Sequence, residues 1–192
     1  MTESAAASYP ERVREAMDRA AAAAFELSSE PAVGRAIMTL AAAVRQGGRI
    51  LEIGTGLGVG TAWLVEGLET RPDVELVTIE CDPQRAALAA QANWPASVTP
   101  VLGDVVVELP ALGSFSLIFA DAEGGKIYGL DLTLAAVELH GLIVFDDMRF
   151  RARGPAIEDG VVRVRRKLLA DDRFVFAEMN WSSGLMIATR VR

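Results

Sequence analysis

The chain is predicted to be an α/β protein on a mostly parallel seven-stranded sheet, with helices leading in and a hairpin closing it. Three observations carry that prediction. From Arg49 onward, short apolar runs alternate with helical patterns, a rhythm that gives a parallel sheet covered on both faces. The runs Ser116-Leu-Ile-Phe-Ala120 and Leu142-Ile-Val-Phe145 are nearly continuous apolar stretches, as strands buried on both sides require. After Arg173, two strand-like segments follow one another without a helix between them, which adds antiparallel pairing at the end.

Residues 9–27 are alanine-rich with charges at helical spacing, so they read as one helix or two short ones. Ser28-Ser29-Glu30-Pro31 breaks that pattern and offers a new start, because Ser29 can cap and Pro31 is tolerated in a first turn. The second helix runs through Val44 and stops at Gln46-Gly47-Gly48. Strands are expected at 49–53, 74–79, 98–102, 115–120 and 142–145. Helices are expected at 58–69, 83–92, 130–139 and 157–170, with a short turn at 104–109. The hairpin strands are 173–178 and 184–190. The whole is expected to be one domain over 1–192, with 1–47 as leading helices and 48–192 as the α/β core.

Composition narrows the class of function. With 192 residues, 51% of them hydrophobic, the chain suits a single sizeable core. No apolar run reaches the roughly 18 residues of a membrane span. The start, Met1-Thr-Glu-Ser-Ala, lacks the basic-then-apolar order of a secretory signal. The single cysteine, Cys81, excludes an internal disulfide framework, agrees with a reducing cytoplasm and is expected to be buried at a strand end. A net charge of −7 argues against nucleic acid, whose phosphates need Lys and Arg. A small-molecule partner, neither nucleic acid nor membrane, is the expectation.

The run Arg49-Ile-Leu-Glu-Ile-Gly-Thr-Gly-Leu-Gly-Val-Gly-Thr61 carries the most chemistry. An apolar strand enters a turn with glycine at 54, 56 and 58, and a helix follows. Without side chains, the turn lets a ligand lie against the backbone, and the next helix start offers free N–H groups. A dinucleotide-binding turn wants Gly-x-Gly-x-x-Gly, but Val59 and Thr61 occupy the third position in the two possible registers. A phosphate loop wants Gly-Lys-Ser/Thr, and no lysine is near. What remains, Glu-x-Gly-x-Gly-x-Gly, resembles the first motif of class I S-adenosylmethionine-dependent methyltransferases.

In open α/β sheets ligands bind beyond the carboxyl ends of the strands. Strand one brings Glu52, Gly54, Gly56, Gly58 and Thr61 to that end. Strand two ends in Thr78-Ile-Glu80-Cys-Asp-Pro83, where Glu80 can take both ribose hydroxyls or else cap the next helix, a job Asp82 is better placed to do. After strand three, Asp104 can accept from an adenine amine while the Val105 N–H reads a ring nitrogen. Capping by Asp104 is the equal alternative, and both roles can coexist. Strands four and five end in Asp121-Ala-Glu123 and Asp146-Asp147, so three carboxylates, Asp121 beside the cofactor among them, gather in one place. Clustered like charges usually hold a cation.

Five pieces in order resemble the caffeoyl-CoA and catechol O-methyltransferase-like family. They are Leu51-Glu-Ile-Gly-Thr-Gly56, Thr78-Ile-Glu80, Leu117-Ile-Phe-Ala-Asp-Ala-Glu123, Gly141-Leu-Ile-Val-Phe-Asp-Asp147 and Gly184-Leu-Met-Ile-Ala. The resemblance implies a Rossmann-like class I fold, S-adenosylmethionine, and transfer of its methyl to a hydroxyl of a small acceptor of the catechol or phenol kind. It also implies a divalent metal, usually Mg2+, on Asp121, Asp146 and Asp147, and a lysine base beside Asp121 for which Lys126 is the nearest candidate. Two departures stand out. Asp147 replaces the family's Asn, and Gly124-Gly125 separate Lys126 from its usual place, so Lys126 is either that base or a solvated residue at a helix start. His140 is expected in a turn at the far end of strand five. Relatives draw acceptor specificity from the loop after strand five, here Met148-Arg-Phe-Arg-Ala-Arg-Gly-Pro155, which is equally a solvated basic loop. The Arg163, Arg165, Arg166, Lys167 cluster is taken as an exposed helix face, and the leading helix as a face for a homodimer like that of dimeric relatives. Transfer to nitrogen on the same fold, or a non-catalytic cofactor-binding subunit, are the alternatives.

Overall fold

The sheet runs in the order β3-β2-β1-β4-β5-β7-β6. In chain order, with two helices first, the elements are α1 (Glu11–Ala22), α2 (Pro31–Ala42), β1 (Arg49–Ile53), α3 (Val59–Gly67), β2 (Glu75–Glu80), α4 (Pro83–Ala89), β3 (Val98–Leu102), α5 (Val105–Leu112), β4 (Phe115–Ala120), α6 (Leu130–Ala136), β5 (Val137–Phe145), α7 (Pro155–Ala170), β6 (Phe174–Met179) and β7 (Leu185–Arg190). This computed structural model describes residues 9–149 and 155–192. β1 to β5 pair in parallel, and β7 inserts antiparallel between β5 and β6. Strand order reverses between β1 and β4, which opens a crevice at their carboxyl ends.

Alternation along β1 divides the core. Ile50 faces α1, α2 and α3, where Val13, Ile37 and Trp63 are buried, while Leu51 and Ile53 face Leu109, Leu134 and Val164 on the other side. Glu52 shares the Ile50 face and so lies under α3. Gly34 permits close packing there, since a Cβ on it would lie 2.1 Å from Trp63 Nε1.

Four elements differ from expectation for visible reasons. α1 stops at Ala22 because Ala24 turns left-handed (φ 50°) and the Phe25 and Ala24 N–H groups cap the Ala20 and Ala21 carbonyls. Ser29 does not cap α2. Glu30 occupies the cap position, and the Ser29 hydroxyl bonds Asp121 instead. The expected helix over 130–139 ends at Ala136, because Val137 already pairs with Phe115 on β4. A register shift between Phe115 and Leu117, with His140 at φ 66°, makes β5 bulge, so His140 lies within the strand. Cys81 is exposed rather than buried. Phe150, Arg151 and Arg153 of the basic loop lie outside the described residues. On α7, Arg163, Arg166 and Lys167 are exposed, and Arg165 pairs with Glu178.

Candidate functional site

A cavity of about 500 Å³ opens at the carboxyl ends of β1, β2 and β4. That volume lies in the range of small-molecule sites. Gly54, Gly56, Glu80, Asp104, Val105, Asp121 and Asp147 stand on its wall, seven of the residues singled out from the sequence. Glu52, Gly58, Thr61, Lys126 and Asp146 lie behind that wall rather than on it.

The residues behind the glycine turn hold it in shape. Glu52 is fully buried, and its Oε2 accepts from the Thr61 hydroxyl at 2.5 Å and the Thr78 hydroxyl at 2.6 Å. Burial pushes its carboxyl from 4.5 up to about 7, with the two hydroxyls opposing and the Glu80 charge adding to the rise. Gly58 turns left-handed (φ 86°), and a Cβ on it would meet the Trp94 ring at 2.7 Å.

Glu80 is locked by its own loop. Its Oε1 accepts from the Asp82 N–H at 2.9 Å and from Arg85 at 2.8 Å, and its Oε2 accepts from the Gly56 N–H at 2.8 Å. This joins the tip of β2 to the glycine turn and aims the carboxylate along the cavity. Asp82 caps α4 through the Gln84 and Arg85 N–H groups, which leaves Glu80 to the cavity. Asp104 caps α5 through the Val106 N–H at 2.9 Å and also lines the cavity.

The opposite end is acidic. Asp121 Oδ2 accepts from the Ser29 hydroxyl at 2.9 Å. Asp146 Oδ1 accepts from the Asp147 N–H at 2.6 Å and from the Ser183 hydroxyl. Burial, and then the neighbouring Asp146 charge, push the Asp121 carboxyl well above the ordinary range; burial likewise raises Asp146. Asp147 has a left-handed backbone (φ 58°), which both Asp and Asn tolerate, so the exchange of the family's Asn for Asp keeps this geometry. Lys126 is buried, not solvated, and its Nζ donates to the Asp146 carbonyl at 2.7 Å.

Among the described residues, no group of three or more His, Cys, Asp or Glu side chains is disposed to hold a metal. The Ser29 hydroxyl engages one oxygen of Asp121, and the Asp147 N–H and Ser183 hydroxyl engage one oxygen of Asp146.

Several wall residues have no motif to announce them. Phe25 sits over Gly56, where a Cβ would approach its ring within 3.1 Å. Leu27, Arg85 and Tyr128 also line the cavity. The only sequence signal for Phe25 is an apolar residue just past an alanine-rich helix.

With this geometry in hand, comparison with known proteins is direct. A family model described as a methyltransferase domain matches residues 51–148. A Mycobacteroides abscessus protein designated an O-methyltransferase is 34% identical over 178 residues, which cover 83% of this chain and 80% of the relative. A Mycobacterium tuberculosis protein of the same designation is 33% identical and covers 83% of this chain and 76% of its own length. Among solved structures, the O-methyltransferase TomG from Streptomyces achromogenes, involved in tomaymycin synthesis and in complex with SAM, aligns with a TM-score of 0.82 at 23% identity, over 96% of this chain and 92% of that one. A Bacillus cereus O-methyltransferase in complex with SAH gives 0.82 at 22% identity, over 95% and 91%. These two structures share the fold. The chain belongs to the methyltransferase-domain family whose relatives carry the O-methyltransferase designation.

Proposed function

We propose that this methyltransferase binds S-adenosylmethionine along the cavity and transfers its methyl group to a hydroxyl of a small acceptor. The observation that carries the reading is the layout of one cavity along neighbouring strand ends, with Glu80 at the tip of β2, the glycine turn after β1, and Asp121 and Asp147 after β4 and β5. The ribose hydroxyls donate to Glu80, with Oε2 facing them and the partly exposed Arg85 giving way on Oε1. Adenine lies by Asp104 and the Val105 N–H. The methionine part rests on Gly54 and Gly56, where no Cβ blocks the backbone.

The acceptor oxygen attacks the methyl carbon, the carbon–sulfur bond breaks, and its electron pair stays on sulfur as the neutral thioether. The sulfonium is a good leaving group, so in-line placement of oxygen, carbon and sulfur supplies most of the advantage. Asp121 accepts the acceptor proton, a role suited to a carboxyl at the strand end whose pKa burial raises well above the ordinary range. No step in this reading runs through a divalent ion. The net charge of −7 and the single cysteine support a small acceptor in a reducing cytoplasm. Among the described residues no helix is long and apolar enough to cross a membrane.

A radiolabelled methyl-transfer screen against phenols, catechols and amines tests this reading. The expected result is label on a hydroxyl oxygen with matching release of S-adenosylhomocysteine. Transfer to amines alone would overturn it.

A further inference from the structure

We propose that Arg85 is a resident competitor at the ribose end of the cavity, its guanidinium covering Glu80 Oε1 until a ribose hydroxyl displaces it toward Asp82. Ribose is placed at Glu80 by the methyl-transfer reading, on which this role rests. A carboxylate offers about two lone-pair places on each oxygen. Glu80 Oε1 already receives three N–H donors, from Asp82 at 2.9 Å and from Arg85 Nε at 3.1 Å and Nη2 at 2.8 Å. The Cys81 thiol adds a weak contact at 3.8 Å. Oε2 receives the Gly56 N–H at 2.8 Å. One ribose hydroxyl therefore has a place on Oε2, while the second meets a full Oε1.

Of the donors on Oε1, Arg85 is the one that can leave. The Asp82 N–H belongs to the backbone at the start of α4, where the Asp82 cap and Pro83 fix it. Arg85 sits on a long side chain, 36% exposed, and lines the cavity. Its way out is prepared. Asp82 Oδ1 is committed to the Gln84 and Arg85 N–H groups, but Oδ2 stands 3.9 Å from Arg85 Nη1. A swing of the guanidinium exchanges one carboxylate for another and keeps its charge paired. Until then its contribution follows from burial. Glu80 is 5% exposed, and a buried carboxylate without counter-charge is costly. The guanidinium removes that cost in the ligand-free protein, and the cofactor must compete with it. Arg85 thus acts through Glu80, as a positioning residue that stabilises the fold and holds cofactor affinity down.

Calorimetric titration of the full chain with S-adenosylhomocysteine, which needs no turnover, compares wild type with Arg85→Met, a variant that keeps the apolar stem without the donors. Arg85→Met is expected to bind about three- to tenfold more tightly, the worth of one partly exposed ion pair. Its unliganded Tm should fall, and saturating S-adenosylhomocysteine should raise that Tm by more than it raises the wild type's. Asp82→Asn, which keeps an acceptor for the α4 cap, removes the charge that receives the guanidinium. It should weaken binding about twofold or more in the wild type and leave Arg85→Met unchanged. An Arg85→Met protein that binds no more tightly than wild type would overturn the proposal, because a guanidinium that merely holds Glu80 in place costs affinity when lost. Equal weakening by Asp82→Asn in both backgrounds would overturn it as well. Should Arg85→Met fail to fold, Arg85→Gln, also uncharged, takes its place under the same outcomes. No binding by the wild type would sink the methyl-transfer reading and this role with it, whereas wild-type binding that Arg85→Met fails to improve sinks this role alone.

Discussion

On the β2 and β3 side of the cavity, Glu80 and Asp104 are held by donors from their own loops and from the glycine turn. On the β4 and β5 side, Asp121 and Asp146 answer to residues far along the chain. Glu80 takes its bonds from Gly56, Asp82 and Arg85, and Asp104 from Val106. Asp121 instead depends on Ser29, 92 residues away, and Asp146 on Ser183, 37 away. The first side is a short-range device that a motif can encode. The second exists only once α2, β4, β5 and the β6–β7 hairpin have come together. The difference suits their proposed tasks, since a fixed cofactor needs a portable cradle and a variable acceptor needs adjustable surroundings.

The largest effect separates the two sides directly. Asp121→Asn is expected to lower kcat by about a hundredfold or more, the ordinary share of a general base. Its affinity for S-adenosylhomocysteine should change no more than about threefold, within the net loss of one hydrogen bond. Steady-state kinetics paired with calorimetry distinguishes these. A cofactor affinity that collapses with turnover would erase the division between the sides.

Next comes Glu52, the carboxyl on the cofactor side whose pKa is raised, to about 7. The folded protein holds this proton more tightly than the unfolded chain, so the Glu52 contribution to stability is fullest below about pH 4.5. As pH rises from there through 7, the unfolded chain sheds the proton first, and stability falls by on the order of 3 kcal/mol. Urea unfolding from pH 4.5 to 8 should show wild type losing this amount relative to Glu52→Gln, which keeps an acceptor for Thr61 and Thr78. Parallel pH profiles would mean Glu52 is ionised in the folded protein.

A smaller effect tests the long-range side. Ser183→Ala removes a donor from buried Asp146 and is expected to cost about 1–2 kcal/mol in chemical unfolding at neutral pH. Asp82→Ala, which removes a local helix cap, should cost less. A Ser183→Ala variant as stable as wild type would show that Asp146 does not need its distant partner.

The same contrast explains what the sequence disclosed. The strands, the antiparallel β7, the glycine turn and Glu80 and Asp104 were legible because each depends on neighbours within a few residues or on a strand period. Capping by Asp82 and Asp104 was legible for the same reason. Ser29 was read as a cap because its local pattern is that of a cap, and only the approach of β4 gives it Asp121 as a partner. The helix over 130–139 was overextended because pairing with β4 outweighs the helical pattern of Val137-Glu-Leu. Lys126 looked as much solvated as catalytic, since nothing local says that Gly125 turns its chain into the core. Phe25 reached the cavity through a helix end built on Ala24, where the usual glycine signal is missing.

Titration of the purified chain with S-adenosylmethionine by isothermal calorimetry, beside Glu80→Ala, bears most directly on the central assignment. The wild type should bind one equivalent per chain, and loss of two charge-assisted hydrogen bonds should weaken Glu80→Ala by about a hundredfold or more. Equal binding by both proteins, or none by the wild type, would contradict it.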